Sequence, residues 1–351
     1  MQIEQILMKL CSADAVAGDE GEIRNITREF MKPLADEVMT DGIGSLVFHM
    51  HSTNENPVKI LFCAHMDEVG FLVRHISPIG MVYAHPVGNP LAKSQDMQQV
   101  RITTASGKKI RGVMNTTRDM TGQVEDVYVD LGVDSEEAVR SLGVSEGDMI
   151  CWATEPYELS EGVVSGKAMD DRAGITALVQ AMESIRAMGT PTNDLYFAVT
   201  SSEEVGTRGG KLCCELVQPD LVVAVDVANH SELDRGFKNH RHLGAGLMLE
   251  LYDKTMSPNR ALLNWVRNNL EAVDVPYQSD MFGGGGTDAG LAHMVGTGCL
   301  ALVLGIPIRY CHSSISLASI ADIKATARAV TSIATRLAVR DIASFTDFIH
   351  R

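Results

Sequence analysis

The sequence predicts an α/β fold: a mixed, largely parallel sheet with helices on both faces, carrying an inserted small β-domain. Three observations predict it. Runs that are apolar throughout, such as Leu195 to Val199 and Leu221 to Val225, read as strands buried on both faces, as in a parallel sheet. Across residues 164–351 such runs alternate with helical patterns, which implies strands covered by helices. Between these regions, over residues 71–163, the texture changes to short strand-like pieces divided by Gly-, Asp- and Ser-rich turns.

Taken in order, the chain opens on "MQIEQILMKLCSADA", a helix with Ile3, Ile6, Leu7 and Leu10 at helical spacing. It lacks the basic start and apolar run of a secretory signal, and no apolar stretch reaches membrane-spanning length. "GSLVFHM" is a strand, and "VKILFCAHMDEVG" is a buried strand ending in polar residues. The pieces "FLVRHI", "MVYAHPV", "QQVRITT", "KKIRGVM", "DVYVDLG" and "DMICWAT" follow as short strands, with "SEEAVRSLGVSEGD" as one short helix and turn. Further strands are expected at 194–200, 221–227, 246–252 and 299–304, and helices at 171–188, 258–273, 287–295 and 319–345. In the first of these helices Leu178, Ala181, Met182 and Ile185 form one apolar stripe. The expected division is an α/β domain of residues 1–70 and 164–351 around an insert of residues 71–163.

The 351 residues, 45% hydrophobic and 21% charged, suffice for a sizeable core. The net charge of −15 argues against nucleic acid or an anionic membrane as partner, since both need a positive face. The seven cysteines are scattered with no CxxC pair, as expected of reduced, mostly buried thiols in a cytoplasmic protein.

Ligands of open α/β sheets bind at the carboxyl ends of the strands. The polar residues just past the expected strand ends are His65 and Asp67, Glu203 and Glu204, Asp226, and His312; Asp170 and Asp171 stand at the start of a helix. Each has an ordinary alternative: Asp170 as a helix N-cap, Asp226 as a turn acid, Glu203–Glu204 as a solvated corner. Their joint occurrence at the strand ends of one sheet argues for a site. Imidazole and carboxylate without thiolate suit zinc, cobalt or manganese. Five such ligands exceed the three that one catalytic zinc takes, and fit two ions if one carboxylate bridges. Asp170, short and at a helix start, is the natural bridge. Asp67, two residues after His65, is placed to hold the second imidazole nitrogen.

The segments "AHMDEVGF", "GKAMDDRAG", "TSSEEVGTRGG", "VAVDV", "GGGGTDAG" and "IRYCHS" occur in the order and spacing of the M42 family of metallo-aminopeptidases, which this chain resembles over nearly its whole length. The resemblance implies a zinc-exopeptidase-like fold and a cytoplasmic, co-catalytic enzyme that removes N-terminal residues from short peptides. It implies two divalent ions per subunit, zinc or cobalt, with manganese also compatible. His65 and Asp226 would complete one ion, Glu204 and His312 the other, with Asp170 bridging. Glu203 would be the general base, Asp67 the partner of His65, and Asp170–Asp171 a cis peptide. The insert would be a barrel-like dimerisation domain, with dimers assembled into a tetrahedral dodecamer. Arg208 and the glycine-rich loop carrying Gly286, Thr287 and Asp288 would line the substrate pocket. That loop also reads as a flexible turn with Thr287 capping a helix. Two positions depart from the family pattern: Ser316 stands where a Glu is common, and Gly44-Ser45 where Gly-Asn is usual. The preferred N-terminal residue is not legible. The alternatives are a related di-metal deacylase or carboxypeptidase, a glycosidase, which needs two carboxylates about 5–9.5 Å apart, and a non-catalytic scaffold.

Overall fold

The computed structural model describes residues 2–229 and 241–350. Four strands form the centre of an 11-stranded sheet: Asp194–Thr200, Lys59–His65, Leu221–Asn229 and Leu300–Arg309, adjacent in that order and parallel. Their side chains divide by parity, as the two-residue period of a strand requires. Ile60, Phe62 and Ala64 join the larger core with helices Ile3–Ser12, Met169–Met188 and Ile320–Arg336. Leu61 and Cys63 join a second core with helices Arg208–Val217 and Asp288–Ala292. Both faces are thus covered, which is why these strands are apolar throughout. Phe62 and Phe197 stack at 5.3 Å within the larger core, a pairing worth about 0.5–1.5 kcal/mol beyond its burial.

The sheet is parallel only in this centre and in one outlying pair, Leu247–Glu250 with Tyr277–Asp280. Leu46–Met50 and Glu37–Thr40 flank it on one side, and Ser316–Ser319, Val163–Gly166 and Tyr157–Ser160 on the other, all antiparallel. The expected helix over 319–345 is two, Ile320–Arg336 and Val339–Thr346. Between them Leu337 is extended and buried. The Asn193 amide donates to the carbonyls of Ala334 and Leu337 at 3.0 and 2.8 Å, satisfying acceptors the broken helix leaves open.

The six short strands Gly70–Ile76, Met81–Val87, Gln98–Thr103, Lys109–Arg118, Val124–Asp130 and Met149–Trp152 close into a barrel. Phe71 and Trp152 meet edge to face at 5.8 Å inside it. Helix Glu136–Ser141 lies between two of its strands in the chain, and Ser135 accepts from the Ala138 amide as its cap. Buried ion pairs join barrel to sheet domain. From the barrel, Arg101 grips Asp14 through two bonds of 2.6 and 2.8 Å. Fully buried Lys167 reaches Glu68 at 2.6 Å and Asp14 at 3.2 Å.

Candidate active site and metal centre

The four central strands end on one side of the sheet and lay out the site. His65 is the last residue of its strand, and its amide donates to Asp171 at 3.2 Å. Asp226 stands within Leu221–Asn229, opposite Gly305. The strand Asp194–Thr200 gives way to the turn bearing Glu203 and Glu204, and Leu300–Arg309 runs into His312. Asp170 and Asp171 open the long helix, and the bond between them is cis. Ala168, Ser202, Tyr310 and His312 have left-handed backbone, with φ of 54°, 61°, 60° and 59°. Such conformations cost non-glycine residues of order 1–3 kcal/mol and gather at functional sites; here each lies within two residues of a candidate ligand or is one.

Asp170 is the centre. One of its oxygens is 2.9 Å from Nε2 of His65, the other 3.2 Å from Nε2 of His312. Glu204 Oε2 is 3.4 Å from the same His312 nitrogen. Burial works to raise the pKa of Asp170, but its bonds to the two imidazoles outweigh it and hold the carboxyl well below the usual range. The imidazoles shift reciprocally. Burial pulls them down, but Asp170 carries His65 well above its ordinary value and His312 to about 9. Burial, then the Asp170 charge, pushes Glu204 to about 8 and Asp226 to about 7. Glu203 is raised too, by burial and by the charges of Asp226 and Asp288 against the opposing pull of His65.

Asp67 sits beneath this arrangement. His65 Nδ1 lies 3.0 Å from its main-chain carbonyl and 3.7 Å from its carboxylate. The carboxylate accepts instead from the amides of Glu203 and Glu204, at 3.0 and 3.1 Å. One residue thereby orients the imidazole and fixes the turn that carries the two acids. That turn, closed by donation from Gly206 and Thr207 to the Glu203 carbonyl, directs Glu203 and Glu204 into the same cavity.

The donors fit divalent metal ions. Three groups each lie within 4.8 Å of one another: His65, Asp170 and Glu204; His65, Asp171 and Asp226; Asp170, Cys311 and His312. Glu204 Oε1 is buried with no hydrogen-bond partner among the described residues. Unpaired buried carboxylate oxygen is costly, and an ion in the space between these groups removes that cost. Imidazole and carboxylate are the donors that zinc, cobalt and manganese accept.

The cavity in front of these groups measures about 500 Å³. Gly286 and Thr287 line it; Thr287 also caps the Asp288–Ala292 helix, accepting from the Ala289 amide at 3.3 Å. Asp288 is buried below, taking hydrogen bonds from Thr200 at 2.5 Å and the Gly210 amide at 3.0 Å. Arg208 starts the Arg208–Val217 helix with its side chain exposed and is not part of the lining. Ser316 donates to the Tyr310 carbonyl at 2.9 Å, bracing the segment that leads to His312. Asp171, noted in the sequence at the helix start but given no ligand role, joins His65 and Asp226. Sequence reasoning missed two neighbours. The Cys311 thiol donates to Asp170 at 3.0 Å. Arg241 lines the cavity between Asp280, 3.4 Å away, and the Phe282 ring. The position of Cys311 beside His312 was the available signal for one; Arg241 had none, because its partners lie about 40 residues on.

Residues 44–328 match the family model of the M42 glutamyl aminopeptidases. The chain is 29% identical to the glutamyl aminopeptidase of Lactococcus lactis subsp. cremoris, over 99% of this chain and 100% of that one. Its structure superposes on a TET aminopeptidase from a marine sediment archaeon of the Thaumarchaeota with a TM-score of 0.93 and 32% identity, covering 98% and 99% of the two chains. It superposes on the Pyrococcus horikoshii TET1 peptidase, which can assemble into a tetrahedron or a large octahedral shell, with a TM-score of 0.86 and 26% identity over 96% and 100%.

Proposed function

The chain belongs to the M42 family of aminopeptidases, and from that premise we propose that it removes N-terminal residues from short peptides at a centre of two divalent metal ions. The observation that carries the reading is the position of Asp170, with one oxygen on His65 and the other on His312. A carboxylate shared between two imidazoles is where a bridging ligand belongs. His65 and Asp226 would complete one ion, Glu204 and His312 the other. When bound, a pair of zinc, cobalt or manganese ions supplies Lewis acidity that lowers the pKa of a water and polarises a carbonyl.

Glu203 is the general base. It takes the proton from the attacking water and returns it to the leaving amine nitrogen as the carbonyl carbon gains oxygen and the C–N bond breaks. Its buried place among carboxylates raises its affinity for protons, which suits a group that must both accept and release one. Asp67 holds Glu203 in place through the two turn amides. The cavity of about 500 Å³ accommodates a residue side chain and the start of a peptide. The shell-forming TET1 relative supports an assembled state; within it we take the barrel as the dimerisation element and a tetrahedral dodecamer as the assembly, a state that light scattering after size exclusion would measure.

The test is turnover of metal-reconstituted protein on a panel of aminoacyl-p-nitroanilides, including glutamyl, lysyl and leucyl, each beside its N-acetylated form. Cleavage of free-amine substrates alone is expected. Comparable cleavage of the blocked forms would sink the aminopeptidase reading, and no turnover with zinc, cobalt or manganese would favour a non-catalytic scaffold.

A further inference from the structure

A second group of metal-type donors lies away from the cavity. Glu37 and His49 are directly opposite on the antiparallel strands Glu37–Thr40 and Leu46–Met50. His51 is two residues beyond His49 and so shares its face. Their ligand atoms lie within 4.8 Å of one another. Glu37 Oε2 is 3.9 Å from His49 Nδ1 and 3.9 Å from His51 Nε2, and the two imidazole centroids are 4.0 Å apart. We propose that Glu37, His49 and His51 form a further transition-metal site, of the imidazole–carboxylate class that takes zinc, nickel or copper(II), separate from the catalytic centre.

The second observation is the state of His49. It is 6% exposed. Its Nε2 is paired with Asp194 Oδ1 at 3.3 Å, leaving Nδ1 directed at Glu37 Oε2, 3.9 Å away. A carboxylate on the far nitrogen is the usual support of a metal-bound imidazole, fixing its ring and raising its basicity. The ring is fixed on its flat side as well, stacked on Tyr196 at 4.0 Å and 15°. The buried imidazole is thus the immobile ligand, and exposed Glu37 and His51 are free to close on an ion. Donors about 2.0–2.1 Å from a tetrahedral zinc stand roughly 3.3 Å apart, so Glu37 Oε2, 3.9 Å from each imidazole nitrogen, needs to close by about half an ångström, while the exposed His51 ring swings away from its 4.0 Å packing on His49 to bring its nitrogen onto the ion.

Topology separates the two sites. His49 pairs with Tyr196 on the strand Asp194–Thr200, and the catalytic turn begins only after Thr200, four residues or about 13 Å further at the rise of an extended chain. His51 lies still further toward Asp194. An ion here clips the edge strand Glu37–Thr40 to its neighbour.

The experiment is equilibrium dialysis against zinc(II), with metal counted per chain, on the wild type, His51→Gln, Glu37→Gln and the catalytic-centre variant Glu204→Gln. His51 and Glu37 are exposed, so neither change disturbs the core. Wild type is expected to hold one more ion than His51→Gln and Glu37→Gln, or to hold it at least tenfold more tightly, with cleavage of aminoacyl-p-nitroanilides unchanged in both. Glu204→Gln should retain the extra ion. Copper(II) added to Glu204→Gln should show nitrogen hyperfine coupling by electron paramagnetic resonance that weakens in Glu204→Gln/His51→Gln. Equal ion counts and affinities in the wild type, His51→Gln and Glu37→Gln would overturn the site.

Discussion

Glu203 and Glu204 are neighbours in sequence with separable expected roles. Glu203→Gln should keep the metal content of the wild type and lower kcat about 10²–10⁴-fold, the usual contribution of a positioned base. Glu204→Gln should lower the metal content, measured by elemental analysis after dialysis, and regain activity as metal is added. Equal metal loss in both variants would remove the division. Asp67→Ala tests the clamp below them. It strips the acceptor from two turn amides, each bond to a charged group being worth about 1.5–3 kcal/mol. Urea unfolding should show a loss of about 3 kcal/mol or more, together with a fall in kcat; an unchanged kcat would mean the clamp does not position Glu203. At this scale the candidates that gather around Asp170 could be picked out from the sequence, because His65, Glu203 and Glu204 are polar residues at or just past the ends of apolar runs and Asp170 opens a helix. The clamp was not, because it joins a side chain to amides 136 and 137 residues away. Nor was the common direction of the two acids: side chains one apart diverge only on an extended chain, and here the strand stops at Thr200.

At the scale of elements, the helix Arg208–Val217 is seated by the absence of side chains at its start. A Cβ on Gly210 would lie 2.5 Å from that of Asp288, and Asp288 ties the strand end at Thr200 to the same helix. Gly210→Ala should cost about 1–3 kcal/mol, typical of overpacking, and should lower kcat/KM by shifting the Glu203 turn. Thermal unfolding and kinetics check this; wild-type values in both would show that Asp288 yields without moving the strand. Element types read well from apolar periodicity, and the central strands fall where expected. Limits did not. The strand expected to stop at 304 runs to Arg309, through Pro307. Its antiparallel partners pair at Gly305 on one element and at Ile308 on the next, so the proline falls in the gap between them, where a missing N–H is tolerated. The break at Leu337 was equally hidden, since the Asn193 amide that caps it comes from another part of the chain.

At the scale of the molecule, the barrel enters the chain between Asp67 and Asp170, so whatever docks it also bears on the site. The docking rests on Asp14, fully buried between Arg101 of the barrel and Lys167 of the sheet domain. None of this was legible, because residues 14, 68, 101 and 167 share no local pattern and meet only in the folded chain. Burial works to raise the Asp14 pKa, but Lys167 and Arg101 outweigh it and hold the carboxyl well below its ordinary 3.8. An acid whose pKa is lowered by folding stabilises the fold above its ordinary value, and the contribution fades as pH falls through the lowered one. Arg101→Met should therefore cost about 3–5 kcal/mol near neutral pH, the usual loss when one partner of a buried pair is removed. The gap between wild type and variant should narrow below about pH 4, as Asp14, left with Lys167 and Lys109 but without its two bonds to Arg101, takes up a proton more readily in the variant. Denaturant unfolding at pH 7, 5 and 3.5 measures the gap directly. A constant gap across that range would assign the loss to the packing of the arginine stem rather than to its charge, whereas a narrowing gap accompanied by a parallel recovery of peptidase kcat would show that the docked barrel holds the catalytic turn in place.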